Sequence, residues 1–302
     1  MSKALKILTQ FPANRQLALY NILGGPKIVE DILAGNVTVQ IKKTARKLVD
    51  KHGRFIPLGL SSPVVDADYR YHFNSFFDRE ECFSRMAEAF NCYSMISVDD
   101  YIGRVRKIIE RVRNDEQLSQ LLLGTNFLVL LPKIDITDYG RTLAEVFIPK
   151  LKQAYGLAFS NGNFNIYEPV EELIGEISLI DGSRYDKLVE AMAKGPVAAI
   201  YFPTAFQGFS PLAPREMIQT LPGDVILSGG YDISAAIIGC PMHLARGNKM
   251  PVLQMSAFKW QSPESLLEFK PSIDELTFND SKLNYQLSLV DVAYSSGVTI
   301  IG

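Results

Sequence analysis

Apolar residues follow a helical period most strictly in "SVDDYIGRVRKIIERVRND". There Val98, Tyr101, Ile102, Val105, Ile108, Ile109 and Val112 keep the i, i+3, i+4, i+7 spacing of an amphipathic helix. Ser97 is placed as its N-cap, and Asp99 and Asp100 suit the positive end of the helix dipole. A second helix is predicted over "DREECFSRMAEAFN", capped by Asp78. Residues 14–34 read as two short helices, because Gly24-Gly25-Pro26 interrupts the period and Pro26 suits a first turn. "VTVQIKKTARKLVDKHG" is predicted as a helix stopping at Gly53. "FIPLGLSSPVVDADYRYHFNSFF", with its Pro, Ser and aromatic residues, reads as extended chain and loop.

Beyond residue 117 the period alternates. "NFLVLLPKID", "NFNIY", "EELIGEISLI", "PVAAIYFPTAFQG", "DVILSG" and "PVLQMSAF" read as strands. Between them, "DYGRTLAEVFIPKLKQAYG", "DGSRYDKLVEAMAKG", "PLAPREMIQTLPG" and "DISAAIIGCPMHLARG" read as helices. Strands separated by single helices and short connections are the pattern of βαβ units. The expected fold is therefore α/β: a helical, basic N-terminal portion (1–117), then a domain (118–302) with a mainly parallel, βαβ-type central sheet. The β-rich last segment, from "SLLEFKPSIDELTFND" onward, is expected to add antiparallel strands at the C-terminus.

Composition narrows the class. A chain of 302 residues, 47% hydrophobic and 21% charged, can bury a large core without staples. Its three cysteines show neither a CxxC motif nor a Cys/His ligand spacing, so they read as small buried residues of a reducing compartment. The densest apolar run, "LLLGTNFLVLLP", is broken by Gly124, Thr125 and Asn126, and the first residues lack a cleavable leader pattern. A soluble, cytoplasmic protein is expected. The net charge of −2 divides unevenly: 18 Lys and Arg stand against 14 Asp and Glu up to residue 116, and 13 against 19 after it.

The chemistry is concentrated at "DVILSGGYDISAAIIG". A strand, a Gly-Gly turn and an Asp at a helix start would leave helix amides open to a ligand at the strand's carboxyl end. Ser228, Gly229, Gly230, Tyr231 and Asp232 are thus candidate ligand-binding residues, with Asp232 read as the N-cap. The stretch is neither GxGxxG nor GxxxxGK[ST], and Asp232 favours a hydroxyl-bearing ligand over a bare anion. "YFPTAFQGFSPLAPRE" adds Thr204, Gln207, Ser210 and Arg215 from the preceding strand-to-helix connection, Arg215 supplying positive charge. Loops 203–215 and 228–232 share one crevice only if the strands before them are neighbours. Trp260 and Gln261 are placed to line the same edge. Ser228, Asp232 and His243 lack the GxSxG elbow and do not make a triad by spacing.

Two further groups carry charge. Were "EELIGEISLI" a strand, Glu172 and Glu176 would project from one face, near Glu168 and Glu171. The long helix carries Arg104, Arg106, Lys107, Arg111 and Arg113 opposite its apolar stripe. Arg104, Lys107 and Arg111, joined by Lys43 and Lys47, form a candidate partner surface for an acidic protein or nucleic acid. No motif names a metal, a cofactor or a reaction. The expected function is binding of a polar or anionic small molecule at loops 203–215 and 228–232. The alternative is a non-catalytic interaction or assembly protein using the basic helix.

Overall fold

The computed structural model describes residues 25–38, 48–50, 53–56, 78–160, 162–167, 169–209, 212–245, 250–262, 265–282 and 293–302. The chain divides into two compact units between Arg46 and Lys47. In the first, helix α1 (Pro26–Leu33) begins at Pro26 directly after Gly25, whose φ of 82° breaks the chain direction. The helix predicted before it, and Lys43 and Lys47, lie outside the described residues.

The second unit begins with a correction. Residues 48–50 do not continue a helix to Gly53: Val49 pairs antiparallel with Phe55, and the chain turns at Gly53 with φ 76°. Burial decides this, because Asp50 and Arg54 form an ion pair of 2.8 Å with side chains only 1% and 2% exposed. Helices α2 (Arg79–Phe90) and α3 (Val98–Asn114) follow, capped as their sequences predict. Asp78 accepts from the amides of Glu80 and Glu81, and Ser97 accepts from Asp100 N–H. Tyr101, Val105, Ile108 and Val112 form the buried stripe of α3.

The remaining helices are α4 (Tyr139–Thr142), α5 (Ile148–Ala158), α6 (Tyr185–Lys194), α7 (Leu212–Met217), α8 (Gly230–Gly239) and α9 (Pro241–Leu244). A π-helical turn at Leu143–Phe147 joins α4 to α5. The strands are β1 (Phe127–Leu131), β2 (Asn163–Ile166), β3 (Ile177–Leu179), β4 (Val197–Phe202), β5 (Val225–Leu227) and β6 (Val252–Gln254). The last five are β7 (Phe258–Trp260), β8 (Ser265–Pro271), β9 (Glu275–Lys282), β10 (Tyr294–Ser296) and β11 (Val298–Ile301).

A mainly parallel central sheet does not form. The four-stranded sheet has the order β1-β4-β11-β5 with every pairing antiparallel. β4 and β5, which would be neighbours in a βαβ unit, run parallel but are separated by β11, whose Thr299 pairs with Tyr201 on one side and Ile226 on the other. The five-stranded sheet, β10-β6-β8-β9-β2, is mixed, parallel only at its ends, where β10 meets β6 and β2 meets β9. β3 and β7 make a separate antiparallel pair. The expectation failed for a physical reason: β1, β4 and β5 are buried at every position, so their sequences are apolar whichever way a neighbour runs. The strand inserted between β4 and β5 comes from the far end of the chain.

"EELIGEISLI" likewise divides into a 3₁₀ turn at Val170–Leu173, a bend at Gly175 with φ 79°, and β3 from Ile177. Glu172 and Glu176 therefore do not share a strand face. Glu168 lies outside the described residues.

At the centre of the core is α8. All ten of its residues are buried, and it packs against β1, α2, α5 and the π turn. Apart from Asp232, "GYDISAAIIG" is apolar or small on every face, as a helix enclosed on all sides requires.

Candidate functional site

The two ends of α8 carry the two chemically rich places in the second unit. At its start, Gly229 is the N-cap and Asp232 is the third helical residue rather than the cap. Asp232 Oδ1 accepts from Gly229 N–H at 2.9 Å and from the Tyr185 hydroxyl at 2.8 Å. Its Oδ2 accepts from the Thr299 hydroxyl, and Ser228 Oγ stands 3.0 Å from Thr299 Oγ1. Tyr185 Oη in turn accepts from Tyr231 N–H at 3.2 Å. Two amides of a fully buried helix start are thereby satisfied by side chains, as the absence of solvent demands. Burial pushes the Asp232 carboxyl above its ordinary pKa, opposed by hydrogen bonds from Thr299, Gly229, Tyr185 and Ser228. Burial, then the neighbouring Asp232, push the Tyr185 hydroxyl well above its ordinary value.

Neither glycine of the turn adopts a left-handed φ. Close packing requires them instead: a Cβ on Gly229 would lie 2.8 Å from ring atoms of Tyr185 and Phe258, and one on Gly230 would lie 2.7 Å from Leu143. The space a ligand would need beside the turn is filled by an aromatic cluster. Tyr231 stacks on Phe147 with centroids 4.7 Å apart and meets Phe258 edge-on at 5.5 Å, while Tyr231 Oη donates to Tyr139 O.

The other sequence-predicted residues are distributed around this centre. Thr204 and Gln207 are buried in a loop held to β10 by Phe206 N–H donating to Ser296 O and Gly208 N–H to Tyr294 O. Arg215 is half-buried and donates to the carbonyls of Ser256 and Phe258, each at 3.3 Å. That segment is itself bonded to the turn, through Ala257 N–H to Ser228 O. The two loops thus approach one another through intervening chain, with β11 between the strands that precede them. Trp260 is a core residue, Gln261 is exposed, and Ser210 lies outside the described residues. His243, on α9, is beside the Phe127 ring at 6.3 Å.

On α3, Arg104, Arg106, Lys107, Arg111 and Arg113 are all exposed. Arg104 donates to Pro196 O, and Arg111 pairs with Asp224 at 3.0 Å while donating to Ile301 O. These two cations fasten α3 to the residues beside the start of β4, the end of β11 and the start of β5.

The far end of α8, roughly 10 Å from Asp232 at 1.5 Å per residue, forms one wall of a cleft of about 370 Å³. Its lining is divided in character. Arg85, Glu88 and Lys150 are charged, whereas Ala154, Leu157 and Pro241 are apolar. Both cations are held by helix-terminal carbonyls: Arg85 Nη1 donates to Gly239 O at 3.2 Å, and Lys150 Nζ to Ala89 O at 2.5 Å. Such contacts neutralise the negative helix ends. They also fix the position of each head, and Arg85 Nη2 is held further by Glu81 Oε1 at 2.5 Å. Sequence reasoning did not find this place. In the sequence Arg85 and Lys150 are single charged positions on two separate predicted helices; in the folded chain Arg85 also pairs with Glu81 at 2.5 Å.

Among the described residues no group of three His, Cys, Asp or Glu side chains is placed to hold a metal ion, and no helix is long and apolar enough to cross a membrane. No protein-family model, curated protein or solved structure matches this chain.

Proposed function

We propose that this is a cytoplasmic small-molecule-binding protein whose ligand occupies the cleft between α2, α5 and the end of α8. The loops 228–232 and 203–215 serve it indirectly, holding α8 and the segments around it. The observation that carries the reading is that Arg85 from α2 and Lys150 from α5 line one cleft together with the apolar Ala154, Leu157 and Pro241. Its volume falls in the range of about 300–1,000 Å³ usual for ligand pockets. Among the lining residues the two cations and Glu88 leave a formal excess of one positive charge; Glu81, outside the lining, pairs with Arg85, so Lys150 carries the charge left for a ligand. The matching ligand class is a monoanion with an apolar body, such as an aliphatic or aromatic carboxylic acid.

A thermal-shift screen of carboxylates and monophosphates against the full chain tests this. A ligand at about 100 times its Kd stabilises by about 2.7 kcal/mol. The shift should vanish in Arg85→Gln and Lys150→Gln, with unfolding of the free protein little changed. A ligand-induced shift that both variants retain, or no shift from any monoanion, sinks the proposal.

A second reading, as an interaction protein, draws support from α3. Arg106, Lys107 and Arg113 are exposed and have no ion-pair partner among the described residues. Reversing all three to Glu should then abolish salt-sensitive capture of an acidic partner or nucleic acid without altering the fold. Capture that is indifferent to salt and to the reversal rules it out.

A further inference from the structure

Cys82 on α2 and Cys240 between α8 and α9 are separated by 158 residues, yet their Sγ atoms stand 2.7 Å apart. Both are buried, at 2% and 1% exposure. Buried cysteines commonly serve as small apolar residues, but packing alone does not require two sulfurs from distant segments to face one another directly. Cys92, the third cysteine, shows the ordinary case: it is buried, and its thiol points to the Phe90 carbonyl at 3.6 Å.

We propose that Cys82 and Cys240 are a modification site: a peroxide converts them to a reversible disulfide that ties α2 to the C-terminal end of α8. One sulfur, as thiolate, attacks the peroxide and breaks its O–O bond, leaving a sulfenic acid and one water. The second sulfur attacks the sulfenic sulfur and expels a second water. Two thiols thus lose two hydrogens, and one hydrogen peroxide is reduced to two waters. With the sulfurs already in contact, bond formation calls for little backbone movement.

The oxidant's route is defined by the neighbours of Cys240. Pro241 lines the cleft, and Arg85, also in its lining, bonds to Gly239 O. The pair therefore lies one residue behind the cleft wall. Contact with Cys82, then burial, hold the Cys240 thiol in its protonated form, so the reaction is slow beside that of an exposed low-pKa cysteine.

The test uses the reduced full chain. It is treated with hydrogen peroxide, then catalase, and the remaining thiols are blocked with N-ethylmaleimide in denaturant before intact-mass and peptide mapping. Of three cysteines, only Cys92 should take the label. One cross-linked peptide pair should join Cys82 to Cys240, and dithiothreitol should restore labelling of all three. Cys92→Ser should preserve the link. Labelling of all three thiols after oxidation, sulfinic acids without a link, or a bond that includes Cys92 each overturns the proposal. Because the decisive map is made on the natural chain, a folding defect in Cys82→Ser or Cys240→Ser does not obscure it.

Discussion

Replacing Asp232 with Ala removes an acceptor from four buried donors: Gly229 N–H, Tyr185 O–H, Thr299 O–H and Ser228 O–H. Thr299 and Ser228 can pair with each other, 3.0 Å apart. Gly229 and Tyr185 keep no such alternative, since Tyr185 Oη already accepts from Tyr231 and needs a separate acceptor for its proton. Leaving a buried donor unsatisfied costs about 1–3 kcal/mol, so two cost about 2–6 kcal/mol. Loss of the carboxylate's own desolvation penalty offsets part of this and moves the expectation toward the lower half. Asn should be far milder, since its oxygen can serve Gly229 and Tyr185 while its amide donates to a hydroxyl. Urea unfolding followed by the fluorescence of Trp260, 1% exposed, gives the readout. With m of about 3 kcal/mol/M, a loss of 2–6 kcal/mol lowers the midpoint by about 0.7–2 M. The pH dependence supplies an independent check. Because burial raises the native pKa of Asp232, the folded state holds this proton more tightly than the unfolded chain does. The group's contribution therefore falls as pH rises from about 3.9, the unfolded value, through the raised native pKa, and is level above it. The stability of the natural chain relative to Asp232→Asn should fall over that window. Were Asp232→Ala as stable as the natural chain, or Asn as damaging as Ala, the network would not hold the start of α8. A relative stability that climbed with pH would contradict the assigned direction of the shift.

Other substitutions probe the packing that positions α8. A Cβ on Gly140 would lie 1.6 Å from Leu173 O, a backbone atom, whereas one on Gly230 meets the movable end of Leu143 at 2.7 Å. Gly140→Ala should therefore lower the melting temperature more than Gly230→Ala, whose cost is about 1–3 kcal/mol; the opposite order would refute the close-approach account. Asp78→Ala, which removes the N-cap of α2, should cost about 1 kcal/mol and shift the urea midpoint without changing m. Asp50→Ala removes an ion-pair partner at 2.8 Å from the buried Arg54 and should cost up to about 3–5 kcal/mol, much of it recovered when Arg54→Met is added. A double variant no more stable than the single one would show that the pair is not the source of the cost.

The arrangement gives α8 two different jobs at its ends. Its first turn is sealed by Asp232, Tyr185 and Thr299, and its last turn is shared with Arg85, the paired cysteines and the cleft. A buried helix anchored at one end transmits little motion there, so any response to ligand or oxidant should be concentrated at the other. Hydrogen exchange should then show slow amides at 229–233 in every state, with ligand- or oxidant-dependent protection confined to the last turn and α9.

Local structure was legible in the sequence wherever it depends on neighbours along the chain. The stripe of α3, the caps at Asp78 and Ser97, the helix start at Pro26 and the strand–turn–helix order around Gly229 all follow from spacing within a few residues. Strand order and direction were not, because apolar runs such as "FLVLL" and "VAAIYF" carry no mark of which neighbour pairs with them. Only the folded chain places β11, seventy-odd residues beyond β5, between β4 and β5, and with it Thr299 against Asp232. The same holds for the contents of the sites. The sequence singled out Asp232 and the glycines, while Tyr185, Thr299, the partnered thiols and the cleft residues Arg85 and Lys150 come from segments far apart. What the sequence by itself determined was most of the helices and strands and the caps at Asp78 and Ser97, since those obey short-range hydrogen bonding and periodicity. The tertiary structure decided which of them meet, because burial of a common core depends on surfaces that no local pattern records.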